Sequence, residues 1–106
     1  MTPENIVKNA CLEWLRLFRP KGFFWRQNVG GMTAQYGNKK RFMRFGVPGL
    51  SDILGIMDGR FIAIECKAGK GKQSPAQAAF QWHVERCGGT YILAYSIDDL
   101  EKALCS

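Results

Sequence analysis

The chain has a single histidine, His83, and its four cysteines, Cys11, Cys66, Cys87 and Cys105, are widely separated with no C-x-x-C pair. A zinc site needs clustered thiolates and imidazoles, so this spacing argues against one. No apolar run approaches the roughly 18 residues of a membrane span, and the N-terminus lacks the charged start and apolar core of a secretory signal. A cytoplasmic protein with reduced thiols is therefore expected. Internal repeats, linkers and low-complexity segments are missing as well. Acidic residues are scarce, nine Asp and Glu against fifteen Lys and Arg, for a net charge of +6 and a pI near 9.4. A basic body suits a polyanion held by phosphate contacts, although many small soluble proteins share that balance.

What is present suits one domain, 1–106, built around one core, with 106 residues and 46% hydrophobic content. Thr2-Pro3-Glu4 reads as a helix start, with Thr2 as N-cap, and Val7, Cys11, Trp14, Leu15 and Phe18 follow at helical spacing to about Phe18 or Arg19. Pro20 and Gly22 break that helix, and Phe23 to Gln27 form a strand ending near Asn28. Gly30 and Gly31 open a flexible stretch, polar and basic as far as Gly46, with a short strand near Arg41 to Phe45. There Lys39, Lys40, Arg41 and Arg44 interleave with Tyr36, Phe42 and Phe45. The segment has two readings: a phosphate-tracking arm whose aromatics stack on bases, or a solvated basic edge strand with its aromatics in the core.

Downstream, Gly69 to Gln73 form a basic loop carrying Lys70 and Lys72. Ser74-Pro75-Ala76-Gln77 has the pattern of a capping box, and its helix runs through Phe80, Trp82, Val84 and Arg86 until Gly88 ends it. His83 within it is read as a surface or packing residue. Thr90 to Tyr95 is a buried strand, and Ser96 with Asp99 opens a short last helix carrying Leu100 and Leu104. The expected order is α-β-β-β-β-α-β-α, an α/β protein with a mixed sheet flanked by helices and a right-handed parallel β-α-β crossover.

The chemistry concentrates between Asp52 and Lys67. Asp58-Gly59 is a strong hairpin signal, and a two-residue turn there pairs Met57 with Arg60, so partner numbers sum to 117. Asp52 then faces Glu65, with Cβ atoms roughly 4.5–5.5 Å apart, close enough for two carboxylates to share a divalent cation. Strand alternation puts Lys67 on the same face as Glu65. An otherwise apolar hairpin has no structural use for these groups. Asp52 could instead cap a turn and Glu65 could pair with Lys67, but a surface pair of that kind contributes only about 0–1 kcal/mol.

Gly49-Leu50-Ser51-Asp52, followed by Glu65-Cys66-Lys67, resembles the PD-(D/E)xK nuclease superfamily, and more specifically its virus-type replication-repair nuclease family, VRR-NUC. The resemblance spans most of the chain: Glu4 in an early helix, Arg26-Gln27-Asn28-Val29-Gly30 as the Arg-x-Asn-x-Gly segment, and Ser74 to Gln77 as the Ser-Pro-x-Gln helix start. Ser51 stands where the motif carries proline, a backbone rigidifier rather than a ligand.

This resemblance implies a restriction-endonuclease-like fold and a site in which Asp52, Glu65 and the backbone carbonyl of Cys66 hold Mg²⁺ or Mn²⁺, leaving the Cys66 thiol incidental. Lys67 would position the attacking water or help it lose a proton. Glu4 would be an outer or second-metal ligand, although a glutamate in a first helical turn is also favoured by the helix dipole. Glu13, nine residues on, points roughly 180° away at 100° per residue. Gln77 would lie near the lysine and phosphate, or simply return a hydrogen bond to Ser74. Asn28 would contact substrate or merely end its strand, and Lys39, Lys40, Arg41, Arg44, Lys70 and Lys72 would bind nucleic acid.

The activity implied is metal-dependent, structure-selective endonucleolytic hydrolysis of branched DNA such as Holliday junctions or flaps. A homodimer would present two sites to symmetric strands, and stand-alone members of this size are typical of phages and prophages, which implies the bacterial host cytoplasm. Two other classes stand beside it. One is a non-cleaving module that binds branched or single-stranded DNA, against which the intact Asp52, Glu65 and Lys67 argue. The other is a sequence-specific restriction-type enzyme, for which Lys39 to Arg44 is the sole candidate recognition element.

Overall fold

The computed structural model describes residues 1–18, 21–27, 31–44 and 46–105, with the backbone course alone for 31–36 and 41–44. Among these the order is α1 (Pro3–Phe18), β1 (Gly22–Arg26), β2 (Gly31–Tyr36), β3 (Lys39–Arg44), β4 (Ile53–Met57), β5 (Arg60–Cys66), α2 (Pro75–Arg86), β6 (Thr90–Ala94) and α3 (Ile97–Leu104). The class is mixed α/β. A four-stranded sheet runs β1-β4-β5-β6, with β5 and β6 parallel and the other neighbours antiparallel. No helix among the described residues is long and apolar enough to cross a membrane.

Asp58 and Gly59 both adopt positive φ, 54° and 74°. A type I′ turn requires that of its two central residues, and its twist matches that of the flanking strands. The turn pairs Met57 with Arg60 and carries the register through to Ile53 opposite Ile64, the alignment expected from sequence.

Two expectations are corrected. The stretch opened by Gly31 is not irregular: β2 pairs with β3 from Gly31–Arg44 to Tyr36–Lys39, turning at Gly37-Asn38, so five strands rather than four precede α2. Nor does the basic strand join the main sheet, since β2 and β3 make a separate two-stranded sheet.

The helix starts follow their caps. The Thr2 hydroxyl accepts the Asn5 N–H at 3.2 Å, and Ser74 and Gln77 exchange both bonds of the capping box that opens α2. At α3 the cap differs from expectation: the Ser96 side chain makes no capping bond, and Asp99 reaches one residue further to accept the Tyr95 N–H at 2.8 Å.

Alternation along β5 divides the core. Ile62, Ile64 and Cys66 pack with Cys11, Trp14 and Leu15 of α1 and Leu100 of α3, while Ala63 packs with Leu54, Tyr91 and Val84 of α2 on the other face. Full burial of each Ile or Leu contributes roughly 1.5–3 kcal/mol. The helices are thereby fixed over the open end of the β4–β5 hairpin, where Asp52 and Glu65 lie.

Candidate metal centre

Asp52 immediately precedes β4 and is fixed by both neighbouring strands. Its backbone carbonyl accepts the Gln27 N–H at 2.7 Å, and its Oδ2 accepts the Cys66 N–H at 2.8 Å. Strand pairing ends at Ile53–Ile64, one step short of Asp52 and Glu65. Glu4, in the first turn of α1, completes the group: one carboxylate oxygen from each of Glu4, Asp52 and Glu65 lies within 4.8 Å of the others.

Glu65 is 2% exposed. Gln77 Nε2 donates to its Oε2 at 3.1 Å and Lys67 Nζ stands 3.6 Å from the same oxygen, but Oε1 is buried and meets no donor. Burial, reinforced by the charge of Asp52 and a hydrogen bond with it, pushes the Glu65 carboxyl up to about 8 against the opposing pull of Lys67. An orphaned buried carboxylate oxygen is unfavourable without a partner, and three oxygen donors are what a hard divalent cation selects. The residues present fit such an ion.

Gln77 makes the capping bond its sequence position allowed and reaches the cleft as well. Its Oε1 accepts the Ser74 N–H at 2.9 Å while its Nε2 holds Glu65, so the cap of α2 also orients the buried acid. The loop before Asp52 rests on the same helix end. Gly49 has φ +73°, and a Cβ there would overlap the Ala76 carbonyl and crowd Gln77 N at 2.6 Å. Ser51 is fully buried, so packing holds the loop before Asp52.

Glu4, Asp52, Glu65 and Gln77, with Ser74, Ala76, Gly49, Leu50, Gln27 and Lys8, line a cleft of about 440 Å³. Comparison with protein-family models and with the curated proteins gives no match.

Two of those residues carry no motif. Lys8 Nζ pairs with Asp52 Oδ1 at 3.2 Å, and Gln27 braces Asp52 from β1 while its Oε1 accepts the Trp25 indole N–H at 3.2 Å. A sequence signal for Lys8 existed. Glu4, Lys8, Cys11 and Leu15 form one i, i+4, i+7, i+11 stripe, so the face that buries Cys11 and Leu15 must carry Lys8 toward the sheet.

The Cys66 side chain lies in the α1–α3 core, where a hydrogen bond with Cys11 and burial raise its thiol pKa, and its thiol plays no part in the cleft. Glu13 points away and pairs with Arg16 at 3.5 Å in solvent, as its phase implied. His83 is exposed, edge-on to Trp82 at 5.0 Å between ring centroids. Lys39, Lys40, Lys70 and Lys72 are exposed, and none lines the cleft. Arg41 and Arg44 lie on β3, whose register alone is described for them. Asn28 falls outside the described residues.

Proposed function

We propose that the chain is a VRR-NUC member of the PD-(D/E)xK superfamily, with a restriction-endonuclease-like fold, acting as a Mg²⁺- or Mn²⁺-dependent endonuclease on branched DNA. One observation carries the proposal: the buried, donorless Oε1 of Glu65, with Asp52 and Glu4 carboxylates beside it and Lys67 and Gln77 on its other oxygen. Surface salt bridges do not require such an arrangement, and stability alone disfavours it.

Asp52, Glu65 and Glu4, with the Cys66 carbonyl, would hold the cation. When bound, it supplies Lewis-acid stabilisation of the charge developing on the phosphate. Lys67 positions the attacking water. Gln77 keeps Glu65 in one orientation. Water adds to phosphorus, the bond to one ester oxygen breaks, and that oxygen leaves with a proton. The basic body, net +6, holds the polyanion by phosphate contacts, which favours recognition of backbone geometry over base sequence. A homodimer in the host cytoplasm accords with cutting symmetric strands of a junction.

A labelled panel of four-way junction, flap, fork, linear duplex and single strand tests this with Mg²⁺, Mn²⁺ or EDTA, beside the Glu65→Gln variant. Metal-dependent nicking of branched substrates, lost in the variant, is expected. Binding without cleavage in either metal would reassign the chain to the non-cleaving class, and cleavage following sequence rather than branching would make it restriction-like.

A further inference from the structure

Lys8 follows Glu4 by four residues, so both project from one face of α1 into the cleft. Its side chain is 14% exposed, and its ammonium pairs with Asp52 Oδ1. The other Asp52 oxygen already accepts the Cys66 N–H. Oδ1 accepts no backbone hydrogen bond and so is the freer Asp52 oxygen for a cation, and Lys8 pairs with it.

The charges point the same way. Three carboxylates face two ammonium groups, Lys8 and Lys67. With a divalent cation bound and all three acids ionised, the set carries one net positive charge, which the single negative charge of a phosphodiester balances. Resting on the metal-site reading above, we propose that Lys8 is a positioning residue. It competes with the divalent cation for Asp52 Oδ1 and, once displaced, offers its ammonium to a phosphodiester oxygen in the same cleft. A purely structural ion pair predicts the opposite sign: loss of Lys8 would loosen α1 and Glu4 and weaken metal binding.

Titration calorimetry with Mn²⁺ and no DNA, on wild type, Lys8→Met and Lys8→Arg, decides between them, with Asp52→Asn marking the site and thermal melting in EDTA reporting folding. Lys8→Met is expected to bind Mn²⁺ about tenfold more tightly, the scale of removing one like charge from a partly buried neighbour, and Lys8→Arg to stay near wild type. At saturating Mn²⁺, Lys8→Met should raise KM for cleavage more than it lowers kcat. In unsubstituted protein, Mg²⁺ should move the Lys8 ¹³Cε NMR signal, which keeps the test open if Lys8→Met does not fold. Unchanged or weaker Mn²⁺ binding by folded Lys8→Met, or a Lys8 signal unmoved at saturating Mg²⁺, would overturn the proposal while leaving the metal site standing. Absence of metal binding from wild type and variant alike would overturn both. The expected metal behaviour without cleavage would support Lys8 and overturn the nuclease reading alone.

Discussion

At the turn end of the β4–β5 hairpin, Phe23, Ile56 and Phe61 form a cross-strand row in which Ile56 is 51% exposed, whereas at the open end Glu65 is buried beside Asp52. The same two strands in the same register thus turn an apolar row to solvent and enclose their acids. Local strand chemistry does not separate the two ends; what covers them does. The first turn of α1 and the capped start of α2 converge on the open end, while at the turn end Met57 is buried and the opposite face, with Phe23, Ile56 and Phe61, stays exposed. Burying ionisable groups is unfavourable unless they are paired. The acids of the open end therefore need partners, which the apolar row of the turn end does not.

The largest effect that would sharpen this contrast is on activity. Asp52→Asn or Glu65→Gln should remove metal-dependent cleavage while junction binding, followed by gel shift, is largely retained. Gln77→Ala should lower activity by about 10–100-fold, the usual loss when a group supporting a metal ligand is removed. Retained cleavage in Glu65→Gln would break the contrast outright.

A stability effect comes next. Glu65 holds its proton up to about pH 8 in the folded protein, against an ordinary value of 4.5. Its contribution is fully present below pH 4.5, where both states are protonated. It falls as pH rises, because only the folded state keeps the proton, and it is gone above pH 8. Urea denaturation in EDTA at pH 5, 6.5 and 8 should show this decline, on the order of a few kcal/mol, and Glu65→Gln should flatten it. Mn²⁺ binding should strengthen over the same interval, as the proton ceases to compete. The smallest effect belongs to the turn end, where Ile56→Thr should shift the unfolding free energy by no more than about 0.5 kcal/mol.

The hairpin and its acids were legible because a two-residue turn fixes register by counting, and register fixes which side chains meet. The α2 cap was legible for a similar reason, since Ser74 and Gln77 are local partners. β3 was legible in part, as the short strand expected near Arg41, but β2 escaped although Met32, Ala34 and Tyr36 alternate with Thr33 and Gln35, because glycines read as flexibility masked the Gly37-Asn38 turn. Lys8 escaped for a different reason. Its partner Asp52 lies 44 positions away in the chain, and only the docking of α1 brings them together. Asp99 shows the limit of cap rules: its carboxylate had two N–H groups within reach, and the sequence pattern named the wrong one.

The stripe that puts Glu4 and Lys8 on the same side of α1 as Cys11 and Leu15 gives the helix a single phase shared by chemistry and packing. Inserting one residue between Lys8 and Cys11 would leave Cys11, Trp14 and Leu15 seated, yet swing both charged groups about 100° around the axis. The chain would keep its hydrophobic seam and lose from the cleft both the Glu4 carboxylate and the ammonium paired with Asp52. A substitution that lets α1 slip along the sheet would do the same by degrees, so under the proposed metal reading cation affinity would gauge how well that helix is seated.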